Sequence, residues 1–91
     1  MSSLQDSSKP KLATGCRWGG SEEGRVVLFP EGAIRLQGTG QKILELCDGT
    51  RTFGELVMQL AKDFWQVDAA RIREEASHFL EQLRDKRIVD Y

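Results

Sequence analysis

The segment Phe29-Pro30-Glu31-Gly32 stands between two β-prone runs and predicts a tight hairpin. Proline has its φ preset for the first central position of a type I turn, and a glycine two residues later adopts the left-handed conformation that closes a three-residue loop. Before the turn, Val26, Val27, Leu28 and Phe29 are apolar on both faces, as expected for a strand with neighbours above and below. Beyond it, Ile34 and Leu36 alternate with Ala33, Arg35 and Gln37, the period-2 pattern of a strand with one buried face. A first strand around Cys16, Arg17 and Trp18, set off by Gly19-Gly20-Ser21 as a turn, completes a three-stranded antiparallel meander.

From Thr39 onward the hydrophobic period becomes helical. Thr39 is suited to cap a short helix with Ile43, Leu44 and Cys47 near one face, and Asp48-Gly49 supplies its stop. Thr52-Phe53-Gly54-Glu55 is a capping box, in which the Thr side chain and the Glu three residues later satisfy each other's backbone donors. Phe53, Leu56, Val57, Leu60 and Phe64 follow as one buried stripe. Asp68 caps a third helix whose stripe is Ile72, Ala76, Phe79, Leu80 and Leu83, with Glu74, Glu75, His78, Glu81, Gln82 and Asp85 largely on other faces. The run Arg87-Ile88-Val89-Asp90-Tyr91 is β-prone and able to tuck its Ile and Val under the helices. Three strands followed by helices of about 9, 12 and 18 residues give an α+β fold, winged-helix-like, with a three-stranded antiparallel β-meander before three α-helices. Residues 1–9 are polar and Ser-rich, with only Leu4 to bury. Ordering them costs backbone entropy for little burial, so they are expected as a disordered tail and residues 10–91 as one domain.

Composition removes several function classes. Thirteen Lys plus Arg against fourteen Asp plus Glu leave a formal charge of -1, so no global field draws the chain to nucleic acid. Arg71, Arg73, Arg84, Lys86 and Arg87 lie on or just beyond the helix that a winged-helix protein inserts in a groove, but Glu74, Glu75, Glu81 and Asp85 interleave with them and would meet phosphates at close range. Apolar runs are only a few residues long, against the roughly 20 that a spanning helix needs. The polar N-terminal residues cannot serve as the apolar region of a secretory signal, which leads to the expectation of a cytoplasmic protein. Cys16 and Cys47 lack both the spacing of a metal knuckle and the density of a disulfide framework, and read as reduced thiols. His78 has no Cys or second His within a turn or two, and Gly38-Thr39-Gly40 lacks the Lys of a phosphate-binding loop. No catalytic constellation, metal or cofactor is expected.

What remains is the sheet. The strand containing Ala33, Ile34, Arg35, Leu36 and Gln37 leads directly into a helix and reads as an edge, with unpaired N–H and C=O groups. Such an edge accepts an extended peptide by strand addition. An ordinary edge, or pairing of two copies in a homodimer, accounts for it equally well.

Pro10-Lys11-Leu12, Gly15-Cys16-Arg17-Trp18, Val27-Leu28-Phe29-Pro30-Glu31-Gly32-Ala33-Ile34-Arg35-Leu36 and Ile43-Leu44-Glu45-Leu46-Cys47-Asp48-Gly49 together resemble the PqqD family of pyrroloquinoline quinone (PQQ) biosynthesis. Residues 52–56 and the long third helix extend the match over nearly the whole chain from Pro10. Gln37 departs from the Asn that members often have, and Gly38-Thr39-Gly40 is richer in Gly than the usual helix start. The resemblance implies a RiPP recognition element, a peptide chaperone that binds the precursor peptide PqqA and presents it to the radical SAM enzyme PqqE. In such systems the partner enzyme cross-links a Glu and a Tyr of the peptide and holds the iron–sulfur chemistry. In similar domains the peptide joins the sheet beside the third strand and packs on the third helix. This implies main-chain pairing at Ala33, Ile34, Arg35, Leu36 and Gln37, and a groove wall from Ile72, Arg73, Ala76 and Phe79. A core role for Ile72, Ala76 and Phe79 is an equal reading of the same stripe. Two other functions stay open at this level: a small winged-helix DNA-binding protein, distinguished by salt-dependent binding to random duplex, and an enzyme acting directly on a PQQ intermediate.

Overall fold

The computed structural model describes residues 4–21, 24–36 and 38–91. The hairpin around Pro30 is present: β3 (Gly24–Phe29) pairs antiparallel with β4 (Gly32–Leu36), and β2 (Arg17–Ser21) pairs with the other side of β3, giving the order β2-β3-β4. The loop consists of Pro30 and Glu31 alone, because Gly32 already pairs with Phe29, and is one residue shorter than expected. Gly19 and Gly20 are not a turn but continue β2 opposite Val26 and Arg25. A Cβ at Gly19 would lie 3.1 Å from Leu28 Cδ1 and 3.5 Å from Val26 Cγ2, so the bare backbone is what lets those two side chains fold across it. Gly20 has φ +90, a conformation that glycine takes without steric cost.

Three helices follow. In α1 (Gly38–Glu45) Thr39 lies inside the first turn and does not cap it. α2 (Phe53–Asp63) opens on the capping box: Glu55 N donates to Thr52 Oγ1 at 3.1 Å and Thr52 N to Glu55 Oε1 at 2.9 Å. α3 (Ala69–Asp85) is capped by Asp68, whose carboxylate accepts from Ala70 N at 3.2 Å. The expected stripes form the core: Phe53, Leu56, Val57 and Leu60 from α2, and Ile72, Ala76, Leu80 and Leu83 from α3, are buried with Ile43 and Leu44 of α1 and with Val27 and Leu36 of the sheet. Phe64 leaves its stripe. It is the C-cap of α2, with φ -119 and ψ 53, and half-buried where the chain turns toward α3.

Two features were not anticipated. β1 (Lys11–Leu12) pairs antiparallel with β5 (Val89–Asp90) in a separate two-stranded sheet, which holds Ile88 and Val89 buried as the tucked tail required. Part of the segment expected as a disordered tail lies against α2 and α3. Phe53 N donates to Ser8 O at 2.7 Å and Gly54 N to Asp6 O at 3.1 Å, and the Asp6 carboxylate pairs with Arg73. The physical reason is that the leading amides of a helix have no partner within it. Here the incoming chain supplies acceptors for two of them. Residues 1–3 lie outside the described residues. Among the described residues no helix is long and apolar enough to cross a membrane.

Candidate functional site

β4 is an edge strand, and its register fixes which main-chain groups face outward. With a two-residue loop, Phe29 and Gly32 form the first hydrogen-bonded pair, and such pairs recur at every second residue: Val27 with Ile34, then Arg25 with Leu36. The intervening pairs, Leu28 with Ala33 and Val26 with Arg35, are of the non-hydrogen-bonded kind. The register of β2 on β3 agrees, since Val26 and Leu28 direct their groups to Gly19 and Arg17 instead. Ala33 and Arg35 therefore turn their N–H and C=O to the open side of the sheet. Gln37, the next residue in that alternation, lies outside the described residues.

The side chains alternate in the complementary sense. Ala33 and Arg35 are exposed on the outer face, whereas Ile34 is half-buried and Leu36 buried on the helix side. On that inner face the Arg25 guanidinium lies 4.5 Å from the Trp18 ring centroid and 3.4 Å from Glu45, tying the sheet to α1.

Leaving β4, the chain enters α1, where Gly40 meets the half-buried ring of Phe79 on α3. A Cβ at Gly40 would lie 3.2 Å from Phe79 Cζ, so glycine sets how closely α1 and α3 approach. Just beyond is an apolar cavity of about 60 Å³, lined by Thr39, Ile43, Leu60, Phe64, Val67 and Ile72, with Glu75 at its side. Gly40, Thr39 and Val67 were not among the expected site residues. The signal available for them was the glycine-rich helix start, since glycine at a helix crossing marks close approach of backbone to side chain.

The four α3 residues expected to form a groove wall are not gathered at the edge. Ile72 is 6% exposed and Ala76 0%, so both belong to the core and have almost no surface to offer. Arg73 sits about a third of a turn from Phe79 around α3. It points to the N-terminal segment, where it pairs with Asp6 and covers the Phe53 ring at 5.6 Å. Phe79 remains, half-buried beside the start of α1.

Elsewhere the reactive groups are quiet. Burial and the neighbouring Asp48 carboxylate push the Cys47 thiol up to about 12, and its Sγ donates to Ile43 O at 3.3 Å. Desolvation also raises Cys16, whose Sγ is 3.6 Å from Arg87 O. Both shifts disfavour the thiolate, the opposite of an activated nucleophile. Asp48 is held down at about 2 by the amides of Arg51 and Thr50 and by the Thr50 hydroxyl, a local turn closing the way into α2. His78 is exposed, 3.2 Å from Gln82 Nε2. Among the described residues no group of three or more His, Cys, Asp or Glu side chains is placed to hold a metal ion.

Comparison with known proteins gives the family and the fold. The family model of PqqD, coenzyme PQQ synthesis protein D, matches residues 24–89. A Stutzerimonas stutzeri protein named PqqA binding protein is 35% identical over 83 residues, covering 89% of this chain and 88% of its own. A Methylococcus capsulatus protein of the same name is 35% identical over 65 residues, covering 71% of this chain and 67% of its own. Among solved structures, the PqqD truncation of Methylobacterium extorquens PqqCD, a functional and stand-alone RiPP recognition element, superposes with a TM-score of 0.79 at 26% identity, covering 98% of this chain and 96% of that one. TbiB1, solved with the TbiA(β) leader peptide, shares the fold at a TM-score of 0.78 and 20% identity, over 88% of this chain and 94% of that one.

Proposed function

The chain belongs to the PqqD family, and on that premise we propose that it binds the precursor peptide PqqA by strand addition at β4 and presents it to the radical SAM enzyme PqqE in PQQ biosynthesis. The observation that carries this reading is the open edge: the main-chain groups of Ala33 and Arg35 face away from β3, and among the described residues no strand lies beyond them in the sheet. The names of the relatives and the recognition-element fold of the M. extorquens neighbour support the choice of a peptide as occupant. In this account the domain is a cytoplasmic binding module, and the chemistry belongs to the partner enzyme.

Strand addition suits a presenter. Main-chain hydrogen bonds supply affinity that depends little on sequence, and side chains alternating inward supply selection. The peptide arrives flexible and must be ordered, a cost that keeps the complex reversible enough for hand-over. Half-buried Ile34 offers the inward contact from β4, and Phe79 with the first turn of α1 offers the wall at its end.

The experiment is an NMR titration of the nitrogen-15-labelled chain with synthetic PqqA and, separately, with random duplex DNA at the same salt. Resonances of residues 33–36 and Phe79 are expected to shift with peptide and to stay in place with duplex. Response to duplex alone, or to neither, would reduce the family likeness to a shared fold.

A further inference from the structure

We infer that the peptide taken up at β4 carries an aspartate or glutamate directly opposite Arg35, with an apolar residue on each side of it; this rests on the strand-addition reading. Arg35 is the one described β4 residue whose side chain is both charged and exposed. Elsewhere in the domain, Arg25, Arg51, Arg71 and Arg73 each have a carboxylate partner. Arg35 has none among the described residues. The register surrounds it on the outer face with Val26, Leu28 and Ala33, which offer it no charge.

The same residue turns its N–H and C=O to the open edge. An added strand in either direction therefore brings one of its residues level with Arg35, with its side chain on the same outer face. Directly opposed side chains on neighbouring strands approach to about 5 Å between Cβ atoms, and opposite charges there attract. The only vacant flank of Arg35 within the sheet is the side that the peptide fills, because Val26 occupies the other. The peptide residues on either side of the acidic one point the opposite way, toward the helices, where half-buried Ile34 and Phe79 lie. The recognition pattern is thus apolar, acidic, apolar over three consecutive residues. It selects by charge on the outside and by burial on the inside.

The test is calorimetric titration of the wild-type chain, Arg35→Glu and Arg35→Gln with synthetic PqqA, and with versions of that peptide in which each Asp or Glu in turn is replaced by Lys. Arg35→Glu is expected to bind the native peptide about tenfold more weakly, and Arg35→Gln about threefold, as attraction turns to repulsion or is merely removed. At one acidic position the Lys peptide should lose affinity for the wild type and recover it with Arg35→Glu to within about threefold. Amide exchange of the complexes separates the two ways of failing. Protection of the Ala33 and Arg35 amides without any charge exchange between Arg35 and the peptide would overturn the acidic partner alone. Absence of that protection would overturn strand addition and this inference together.

Discussion

Replacing Ala33 by proline is expected to weaken peptide binding by about tenfold or more while the domain stays folded. The Ala33 N–H points to the open edge and takes no part in the β3–β4 pairing, which runs through Gly32, Ile34 and Leu36. Proline deletes that donor and places its ring where an incoming strand must lie, a substitution that edge strands tolerate. Gly32 precedes it and accepts the restriction that proline imposes on its neighbour. The peptide carbonyl left without a donor costs about 1–3 kcal/mol, and about 1.4 kcal/mol is a factor of ten in affinity. Ile34→Pro is the control of opposite sign. Its N–H bonds to β3, so the change breaks the sheet itself and should lower the thermal midpoint markedly. Calorimetric titration beside thermal denaturation reads both. An Ala33→Pro chain that binds like the wild type would remove the edge from the account.

Leu80→Ala should cost about 2–5 kcal/mol of folding stability, a large part of the 5–15 kcal/mol typical of a domain. Leu80 is fully buried on α3, within the cluster formed with Leu56 and Leu60 of α2 and Ile88 before β5. Its deletion leaves a cavity that elements joined on all sides cannot close. Trp65 provides the contrast, since a larger side chain that is 77% exposed should change stability by less than about 0.5 kcal/mol when truncated to Ala. Urea denaturation of the two variants gives the comparison. Similar losses for both would mean that the buried stripe does not dominate stability.

Much of what is decided within a few residues is legible in the sequence, although the Thr39 cap and the length of the Pro30 loop are not. The capping box at Thr52 and Glu55 and the cap at Asp68 depend on atoms three residues apart at most, and both are present. The stripes of α2 and α3 are equally local, and they depart at Phe64, where the helix ends before the period does, and at Phe79, which is half-buried against Gly40. The β1–β5 pair and the docking of residues 4–9 depend on contacts between distant parts of the chain, for which periodicity carries no signal. Gly19-Gly20 carries a turn signal because glycine is common in turns; the crowding of Val26 and Leu28 over Gly19 arises only once β3 lies beside β2.

The candidate site divides along the same line. The inward and outward alternation of Ile34, Arg35 and Leu36 was plain from their types, and the burial follows it. Which amides face the edge was not, because that depends on the length of the Pro30-Glu31 loop and shifts with it. The family resemblance implies Arg73 and Phe79 as parts of one groove wall on α3. A helix face acquires meaning only from what packs on it, and Asp6 with Phe53 takes the Arg73 flank while Gly40 takes that of Phe79.

The alternation along β4 makes amide hydrogen exchange, resolved by residue, the most direct measurement of strand addition. In the free chain Ile34 and Leu36 should exchange slowly, being bonded to β3, while Ala33 and Arg35 exchange fast. Saturation with PqqA should slow Ala33 and Arg35 and complete an unbroken protected strand. If Ala33 and Arg35 exchange as fast with saturating peptide as without it, the peptide binds elsewhere, and β4 is an ordinary edge.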